Sequence, residues 1–577
     1  MKFFCVFCVV GCLLLPAAAL DREAFTFTRY NLAATIDPEQ QRLGVRGKIV
    51  LRNDSDIPQQ SVVLQISSTL HWASIQFDGK RAGFTTQTYN SDIDHTGSLS
   101  EAIVNLPRAL SPRQTIEIEV GYEGIISQDM TRLTRIGVPA ETAKQSDWDK
   151  ISASFTAVRG IGYVAWYPIA TEAANMPDAS SVSEAVGRWK QREQNAGMRV
   201  QFTYSSEGSA TQLYCNGVGH RSEDEQMSRA NRSSTQCEFE PLGSRVPLFL
   251  VGSFQVLDRG AVNISFIPEH KTEAHNCAIA AEQVSPFIVK WFGDHRVRPE
   301  FKAEVVELPA QNSSPFQSGN MLLTPLTDDD TSNLLSAVQL LTHVEFPSPR
   351  PWISEGLARY AAVRYVEQEK SRDTALNYLQ SHRAGLTEAE ARSAQQNSDN
   401  AAQHSLINAT DEFYVQTKAM NVWWMLRDLI GETALTAALH NYKADEDRDA
   451  MYMQKLLETQ SHRDLTWFFD DWVYRDHGLP DLRIESVFSR PIVSGGFLVT
   501  VTVENLGGTT GEAPVTLQMV TGEATEKVLV PGKSKASVRI TAGSAPLKAT
   551  VNDGSVPESD LTNNTYAISA SELNSNH

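Results

Sequence analysis

The sequence predicts a multidomain α and β protein, with an N-terminal antiparallel β domain, a mainly helical domain and a C-terminal β-sandwich. The chain has 577 residues and is 41% hydrophobic, so it is too long for one core and apolar enough to fill several. Hydrophobic residues alternate from about residue 24 to 265 and then recur at three- and four-residue spacing to about residue 480. Alternation returns after residue 480, which predicts strands again.

Residues 1–19, MKFFCVFCVVGCLLLPAAA, are predicted to be a cleaved secretory signal. They combine one lysine, an apolar run and small residues, with Ala17 and Ala19 at the positions that signal peptidase reads. An uncleaved anchor is the less favoured alternative, because Phe3 to Leu15 is shorter than the ~20 apolar residues that span a bilayer. The sequence therefore predicts an exported protein, periplasmic or extracellular, with no transmembrane segment beyond the signal.

The mature chain is predicted to be acidic. One of the 51 basic residues lies in the signal, so the formal net charge of −18 becomes −19 after cleavage. A negative surface repels nucleic acid and anionic lipid, and nucleic acid is therefore excluded as a partner.

Three of the six cysteines, Cys215, Cys237 and Cys277, lie outside the signal. The stretches LYCNG and TQCEFE are typical of hairpin edges. An oxidising compartment favours a Cys215–Cys237 disulfide, which would leave Cys277 free. Three separate thiols are the alternative.

Residues 20–265 are predicted to form the β domain because hydrophobic residues face one side of each strand. The inward-facing residues are Leu43, Val45, Ile49 and Leu51 in one strand, and Ile116, Ile118, Val120 and Tyr122 in another. The aromatic stretch GIGYVAWYPIA, residues 160–170, indicates either a strand and turn beside a cleft or, the favoured interpretation, a corner of the core.

Residues 266–480 are predicted to form the helical domain. Five segments carry apolar residues at helical spacing: AAEQVSPFIVKWFG, TSNLLSAVQLLTHVEF, SEGLARYAAVRYVEQEK, TKAMNVWWMLRDLIG and DLTWFFDDWVYRDHG. The polar segment 392–405 has little to bury and is predicted to be an exposed loop or a frayed helix end.

Residues 481–570 are predicted to form a small β-sandwich, and residues 571–577 a disordered tail. The alternating hydrophobic residues of two strands are Val499, Val501 and Val503, followed after a glycine-rich turn by Val515, Leu517 and Met519. Short strands at this spacing are typical of a sandwich.

Two residues of the helical part are candidate metal ligands. His343 lies near the end of one predicted helix and Glu355 near the start of the next. Zinc peptidases of the HExxH type use two histidines at i and i+4, a glutamate between them as general base, and a third ligand from a following helix. Here the pentad is QLLTH, with Gln339 in the first histidine position and Leu340 in the base position.

The order of these segments resembles the M1 family of zinc aminopeptidases. YNLAATIDPEQQRLGVRGKIVLRND is similar to the start of the family's saddle-shaped N-terminal domain, and WISEGLARY is similar to its third-ligand helix, WxNEGxAxY. TKAMNVWWMLRDLIGETALTAAL and FFDDWVYRDHGLPDL resemble later parts of its thermolysin-like, mainly helical domain. The resemblance covers roughly residues 25–485. The tail VNDGSVPESDLTNNTYAIS resembles adhesion-type immunoglobulin-like modules.

The resemblance implies zinc as the cofactor, with His343 as the second histidine ligand and Glu355 as the third ligand. Gln339 replaces the first histidine and Leu340 the base, and the loop between His343 and Glu355 is shorter than in the family. A histidine, a carboxylate and a neutral amide are a poor zinc set. A His343, Glu345 and Glu355 set is the alternative, and it requires the helix to end at His343, which Pro347 favours.

Two further motifs of the family are incomplete. QSGNMLLTP, residues 317–325, lies where the family's GxMEN motif is expected but has no glutamate after Met321. Tyr414 is the nearest candidate for the tyrosine that stabilises the oxyanion, while Gln416 occupies the strictly aligned position. Tyr414 also suits core packing.

The sequence therefore predicts an M1-like metallopeptidase homologue that acts on or binds peptides or unfolded protein segments, with hydrolysis lost or weak. The alternative is a non-catalytic peptide-binding or cell-surface scaffold protein. His343 and Glu355 also suit structural roles, as a hydrogen-bonded histidine and as a negative charge near a helix N-terminus.

Overall fold

The computed structural model describes residues 20–205, 211–222, 232–293, 302–396, 405–493 and 495–569. The predicted signal, residues 1–19, and the predicted tail, residues 571–577, lie outside the described residues. Several sheets and a set of helices build a multidomain α and β protein, which confirms the predicted fold class in its coarse form.

An eight-stranded sheet forms the centre of the N-terminal part. Its strand order is β12 (Val218–Ser222), β13 (Arg232–Phe239), β10 (Gly197–Ser205), β1 (Phe25–Asp37), β2 (Arg42–Asn53), β8 (Thr115–Ile125), β4 (Leu70–Phe77) and β5 (Lys80–Arg81). The predicted antiparallel pairing holds for every pair of this sheet except β1 and β10, which run parallel. Parallel neighbours need a long crossover connection, and the chain between β1 and β10 supplies one.

Two three-stranded sheets and three helices complete this part. The sheets are β3 (Gln59–Ser67), β7 (Ser98–Leu110) and β6 (Phe84–Asn90), and β11 (Thr211–Cys215), β14 (Phe249–Ser253) and β9 (Thr156–Val158). The helices are α1 (Thr131–Thr134), α2 (Ala140–Ser146) and α3 (Ala179–Glu193). The inward-facing residues predicted for β2 and β8 are buried, apart from the half-buried Ile116. Trp166 and Tyr167 are buried in the core, as the core-corner interpretation predicts.

A disulfide joins Cys215 of β11 to Cys237 of β13, with Cα atoms 6.4 Å apart, and Cys277 is a free thiol. Both predictions are confirmed. The two cysteines belong to different sheets, so the bond joins sheets and does not close a single hairpin.

The middle of the chain combines a mixed sheet with most of the helices. The sheet order is β15 (Gln255–Arg259), β16 (Val262–Phe266), β17 (Ala303–Glu307), β19 (Met321–Thr324) and β18 (Phe316–Ser318). The helices are α4 (Lys271–Phe292), α5 (Asp330–Glu345), α6 (Pro351–Glu369), α7 (Arg372–Ser381), α8 (Arg383–Gln396), α9 (Glu412–Ile430), α10 (Glu432–His440), α11 (Tyr452–Ser461) and α12 (Thr466–Phe469). A 3-10 turn (Pro268–His270) precedes α4, and a π turn (Asp470–Tyr474) follows α12.

Each of the five segments predicted to be helical contains a helix, although the last contains only the short α12 and the π turn. The polar segment 392–405 begins inside α8, and residues 397–404 of it lie outside the described residues. The predicted domain boundary at residue 265 falls within β16, which pairs with β15 before it and with β17 after it.

The C-terminal part has two sheets, β20 (Leu482–Pro491), β21 (Phe497–Asn505) and β24 (Lys535–Ala542), and β23 (Glu523–Val530), β22 (Gly511–Met519), β25 (Pro546–Val551) and β26 (Thr565–Ala567). All six predicted alternating residues are buried between them. This hydrophobic cluster continues into the helical part, so the sandwich and the helices share one core. The immunoglobulin-like identity of the C-terminal sandwich stays a prediction. In the described part of the chain, no helix has both the length and the hydropathy to cross a membrane.

Candidate functional site

The structure brings together the two predicted metal ligands. His343 lies in the last turn of α5 and Glu355 in the second turn of α6, and His343 Nε2 is 3.6 Å from Glu355 Oε2. The side chains are 15% and 24% exposed, so solvent reaches both. Arg350, in the connection between the helices, is anchored by Asp447 at 2.6 Å. The result is a histidine–carboxylate pair on a fixed pair of helices.

A glutamine joins this pair to a second carboxylate. Gln416 of α9 donates from Nε2 to Glu355 Oε2 at 3.0 Å and to Glu412 Oε1 at 3.2 Å. Its Oε1 accepts a hydrogen bond from Arg359 Nη2 at 2.9 Å. Because Glu355 and Arg359, and likewise Glu412 and Gln416, are four residues apart, each pair lies on one helical face. Gln416 therefore fixes the spacing of two carboxylates and one guanidinium.

A lysine from the N-terminal part completes the cluster. Lys190 lies in the last turn of α3, and its Nζ atom is 2.7 Å from Glu412 Oε2. The charge of Lys190 is the main cause that lowers the pKa of Glu412, and His343 and Arg359 add to it. Burial disfavours the charged form of Lys190, but attraction to Glu412 outweighs burial and raises the pKa of the lysine. We call His343, Glu355, Arg359, Glu412, Gln416 and Lys190 the polar cluster.

Two glycines allow the elements of the polar cluster to approach each other. A Cβ atom at Gly356 would lie 2.5 Å from Ala419 Cβ, so α6 and α9 contact each other directly beside Glu355. A Cβ atom at Gly187 would overlap the carbonyl oxygen of Thr410, just before α9. Only residues without a side chain fit such contacts. Lys190 and Glu412 therefore meet because α3 is close to the start of α9.

Leu340 and Gln339, which occupy the positions of the base and of the first histidine in the zinc motif, have different surroundings. Leu340 is 2% exposed and belongs to the helical core, where it cannot act as a base. Gln339 is half-buried one helical turn before His343. Helix α5 continues to Glu345, which is 2% exposed and roughly 200° around the helix from His343. The alternative set of metal ligands with Glu345 requires α5 to end at His343, and the helix does not end there.

The residues present do not fit a zinc site of the usual kind. Such a site needs three protein ligands that converge on one point, and here only His343 and Glu355 converge. Across the described ranges, no group of three or more His, Cys, Asp or Glu side chains is arranged to hold a metal ion. The assignment of His343 and Glu355 as zinc ligands stays a prediction.

Tyr414, the predicted catalytic tyrosine, belongs to a separate buried network. Its hydroxyl accepts a hydrogen bond from Lys418 Nζ at 2.7 Å and lies 3.4 Å from Glu390 Oε1. Lys418 also pairs with Glu390 at 2.9 Å and with Asp476 at 3.4 Å. Burial raises the pKa of Tyr414 well above its ordinary range. Tyr414 follows Glu412 by two residues, which places its side chain on a different side of α9 from the polar cluster.

Residues 317–325, which lie where the GxMEN motif is expected, form most of the β18–β19 hairpin. The side chain of Asn320 donates to the carbonyl oxygen of Lys302 at 3.1 Å, and Met321 is buried. These contacts stabilise the sheet edge.

Proteins similar to this chain are found among solved structures. No protein-family model matches the chain, and no curated protein matches it. Among solved structures, the chain is similar to an M1 zinc metallopeptidase from Deinococcus radiodurans, with 14% identity, a TM-score of 0.45, and coverage of 78% of this chain and 94% of that chain. A mutant of that metallopeptidase bound to a Tyr-Ser-Ala substrate matches with the same identity, coverage and TM-score. Similarity at this level leaves the activity to be argued from the residues of the chain itself.

Replacing Lys190 by Met is expected to lower the free energy of unfolding by at most about 1 kcal/mol near pH 7, because the ion pair is partly exposed. The lowered pKa of Glu412 stabilises the fold above the ordinary glutamate pKa, and this contribution is lost as the pH falls through the folded-state value. The difference between wild type and Lys190→Met should therefore disappear in acid. Denaturant unfolding at several pH values measures this difference in the free energy of unfolding. Lys370→Met, which changes an exposed lysine, is the control. A difference that persists unchanged in acid would contradict the ion pair.

Replacing Lys418 by Met is expected to destabilise the protein by about 3–5 kcal/mol, because it leaves buried carboxylates without their cation. Tyr414→Phe removes one hydrogen bond of the same network and should cost about 1 kcal/mol. Thermal and denaturant unfolding test both changes. If Tyr414→Phe abolished ligand binding or turnover without affecting stability, the structural role of Tyr414 would be wrong.

Proposed function

We propose that this chain is an exported, peptidase-like protein that binds peptides at the polar cluster and does not hydrolyse them by the zinc mechanism. The observation that carries the proposal is the bonding of Glu355, which accepts a hydrogen bond from Gln416 and lies within the field of Lys190. The carboxylate that would be the third zinc ligand thus has other partners. In this proposal the protein is a pseudoenzyme.

The chemistry of the cluster supports the loss of hydrolysis. Zinc hydrolysis needs a metal-bound water whose pKa is near 7 and a base that takes its proton. Leu340 has no group that accepts a proton, and a missing general base alone reduces a rate by about 10²–10⁴. Lys190 supplies positive charge beside the carboxylates, but an ammonium group has no open coordination position for water.

Peptide binding is supported by the position and the composition of the cluster. It lies where a helix of the N-terminal part meets helices of the middle part, and ligand sites favour such junctions. The cluster offers donors from Lys190 and Arg359 and acceptors from Glu355 and Glu412, and both kinds suit the polar groups of a peptide. The sequence resemblance to M1 aminopeptidases points to the same class of ligand.

The purified mature protein is expected to contain far less than one zinc per chain, because only two donors converge. Gln339→His adds a donor one turn before His343 and should increase zinc retention, and His343→Ala in that background should abolish the gain. Elemental analysis after dialysis measures this. Stoichiometric zinc in the wild type, lost in His343→Ala, would overturn the proposal and establish an altered ligand set.

Short peptides are expected to bind and to remain intact. Glu355→Gln should weaken binding about tenfold, since it removes one charge from the site. Glu526→Gln, at an exposed position of β23, is the matched control and should leave affinity unchanged. Calorimetric titration with a peptide mixture gives the affinity, and mass spectrometry of the same samples shows whether any peptide bond is cut. Cleavage that His343→Ala abolishes would contradict a binding role.

A further inference from the structure

Three strand connections lie together at one end of the sandwich. The β20–β21 turn, the β22–β23 turn and the β24–β25 connection all lie there, because Phe497 pairs with both Pro491 and Ala542, and Met519 pairs with Pro546. Thr521 and Ser544 join two of these loops through a hydroxyl–hydroxyl contact of 3.1 Å. We call this the distal end.

The opposite end of the sandwich is held by the helical part. Trp472 donates from its indole nitrogen to the carbonyl oxygen of Thr510 at 2.9 Å, and Asp471 accepts from the N–H of the same residue at 2.9 Å. Thr509 donates to the carbonyl oxygen of Gly478 at 2.6 Å. These bonds hold the end opposite the distal end against the helical part.

Three aliphatic side chains are exposed at the distal end, Val493 and Val520 in two of its turns and Leu547 as the second residue of β25. Val493 is fully exposed, at 110% of the reference area, Val520 is 70% exposed and Leu547 is 51% exposed. Single exposed aliphatic residues are ordinary, but here three lie at one end of one domain, two in turns and one at the start of a strand. Apolar side chains that protrude separately fit a soft surface, which deforms around each of them, better than they fit a rigid protein pocket.

The charges at the distal end differ from those of the chain as a whole. Among the described residues within about four positions of this end, Arg490, Lys527, Arg539 and Lys548 are basic and Glu523 and Glu526 are acidic, so basic side chains predominate there while the whole chain carries −18. At physiological salt the Debye length is about 8 Å, so a surface that touches this end senses the local charge and not that of the chain. The repulsion expected from overall charge does not apply to this orientation.

We propose that the distal end docks on a phospholipid membrane surface, with Val493, Val520 and Leu547 inserted among the lipids and the nearby basic side chains next to anionic headgroups. Insertion of apolar loop residues combined with local basic charge is a known physical basis of reversible membrane binding. In this orientation the sandwich separates the polar cluster from the membrane. This inference does not depend on peptide binding.

Sedimentation with vesicles of phosphatidylcholine containing roughly one quarter phosphatidylglycerol, in about 0.15 M salt, tests the proposal with the full mature chain. The wild type should pellet with the vesicles. Val493→Ser combined with Val520→Ser and Leu547→Ser should weaken binding at least about tenfold, because three apolar insertions are lost. Arg490→Glu combined with Lys548→Glu should weaken it by about as much.

The matched control replaces three exposed aliphatic residues elsewhere, Ile57, Ile125 and Leu529, by serine and should leave binding unchanged. Circular dichroism melting shows whether each variant remains folded, which is expected because the positions are exposed or, at Lys548, half-buried. A wild type that stays in the supernatant would overturn the proposal. So would equal vesicle binding by the wild type and the distal triple variant, or an equal loss in the control variant.

Discussion

The close approach of α3, α6 and α9 is the constraint on which the polar cluster depends. Gly356 lets α6 contact α9, and Gly187 lets α3 reach the segment before α9. These two contacts set the distances between side chains that come from three distant parts of the sequence. Since Lys190 and Glu412 form an ion pair between the N-terminal part and the helices, the cluster also joins the two parts. The geometry of the cluster therefore depends on how the two parts pack against each other.

The cluster combines a histidine–carboxylate pair with charged and hydrogen-bonding neighbours. His343 and Glu355 lie close to each other, and their neighbours supply hydrogen bonds and charge in place of a third metal donor. An ammonium group offsets the negative charge of two carboxylates, as a bound cation would. The ammonium group differs from a metal ion because it donates three hydrogen bonds and is attached covalently to a side chain, which sets its position.

The sequence predicts the local features of this site and misses the distant ones. Apolar periodicity placed α5 and α6, and the order of motifs singled out His343 and Glu355, which the structure brings together. The burial of Leu340 follows from its place in the same periodic pattern. Lys190 carries no local signal, because it is separated by 222 positions from its partner and is an ordinary polar residue of an amphipathic helix. The parallel β1–β10 pair escaped prediction for the same reason, since strand periodicity does not report the direction of a remote neighbour.

The core shared by the helices and the sandwich has a consequence for how the protein unfolds. One hydrophobic cluster runs from β16 through the helices to the inner faces of both sandwich sheets. Elements that bury apolar surface against each other tend to open together, so this stretch should behave as one cooperative unit in hydrogen exchange. The C-terminal module is thus fused to its neighbour thermodynamically as well as covalently, and orienting the module at a surface would orient the whole helical part with it.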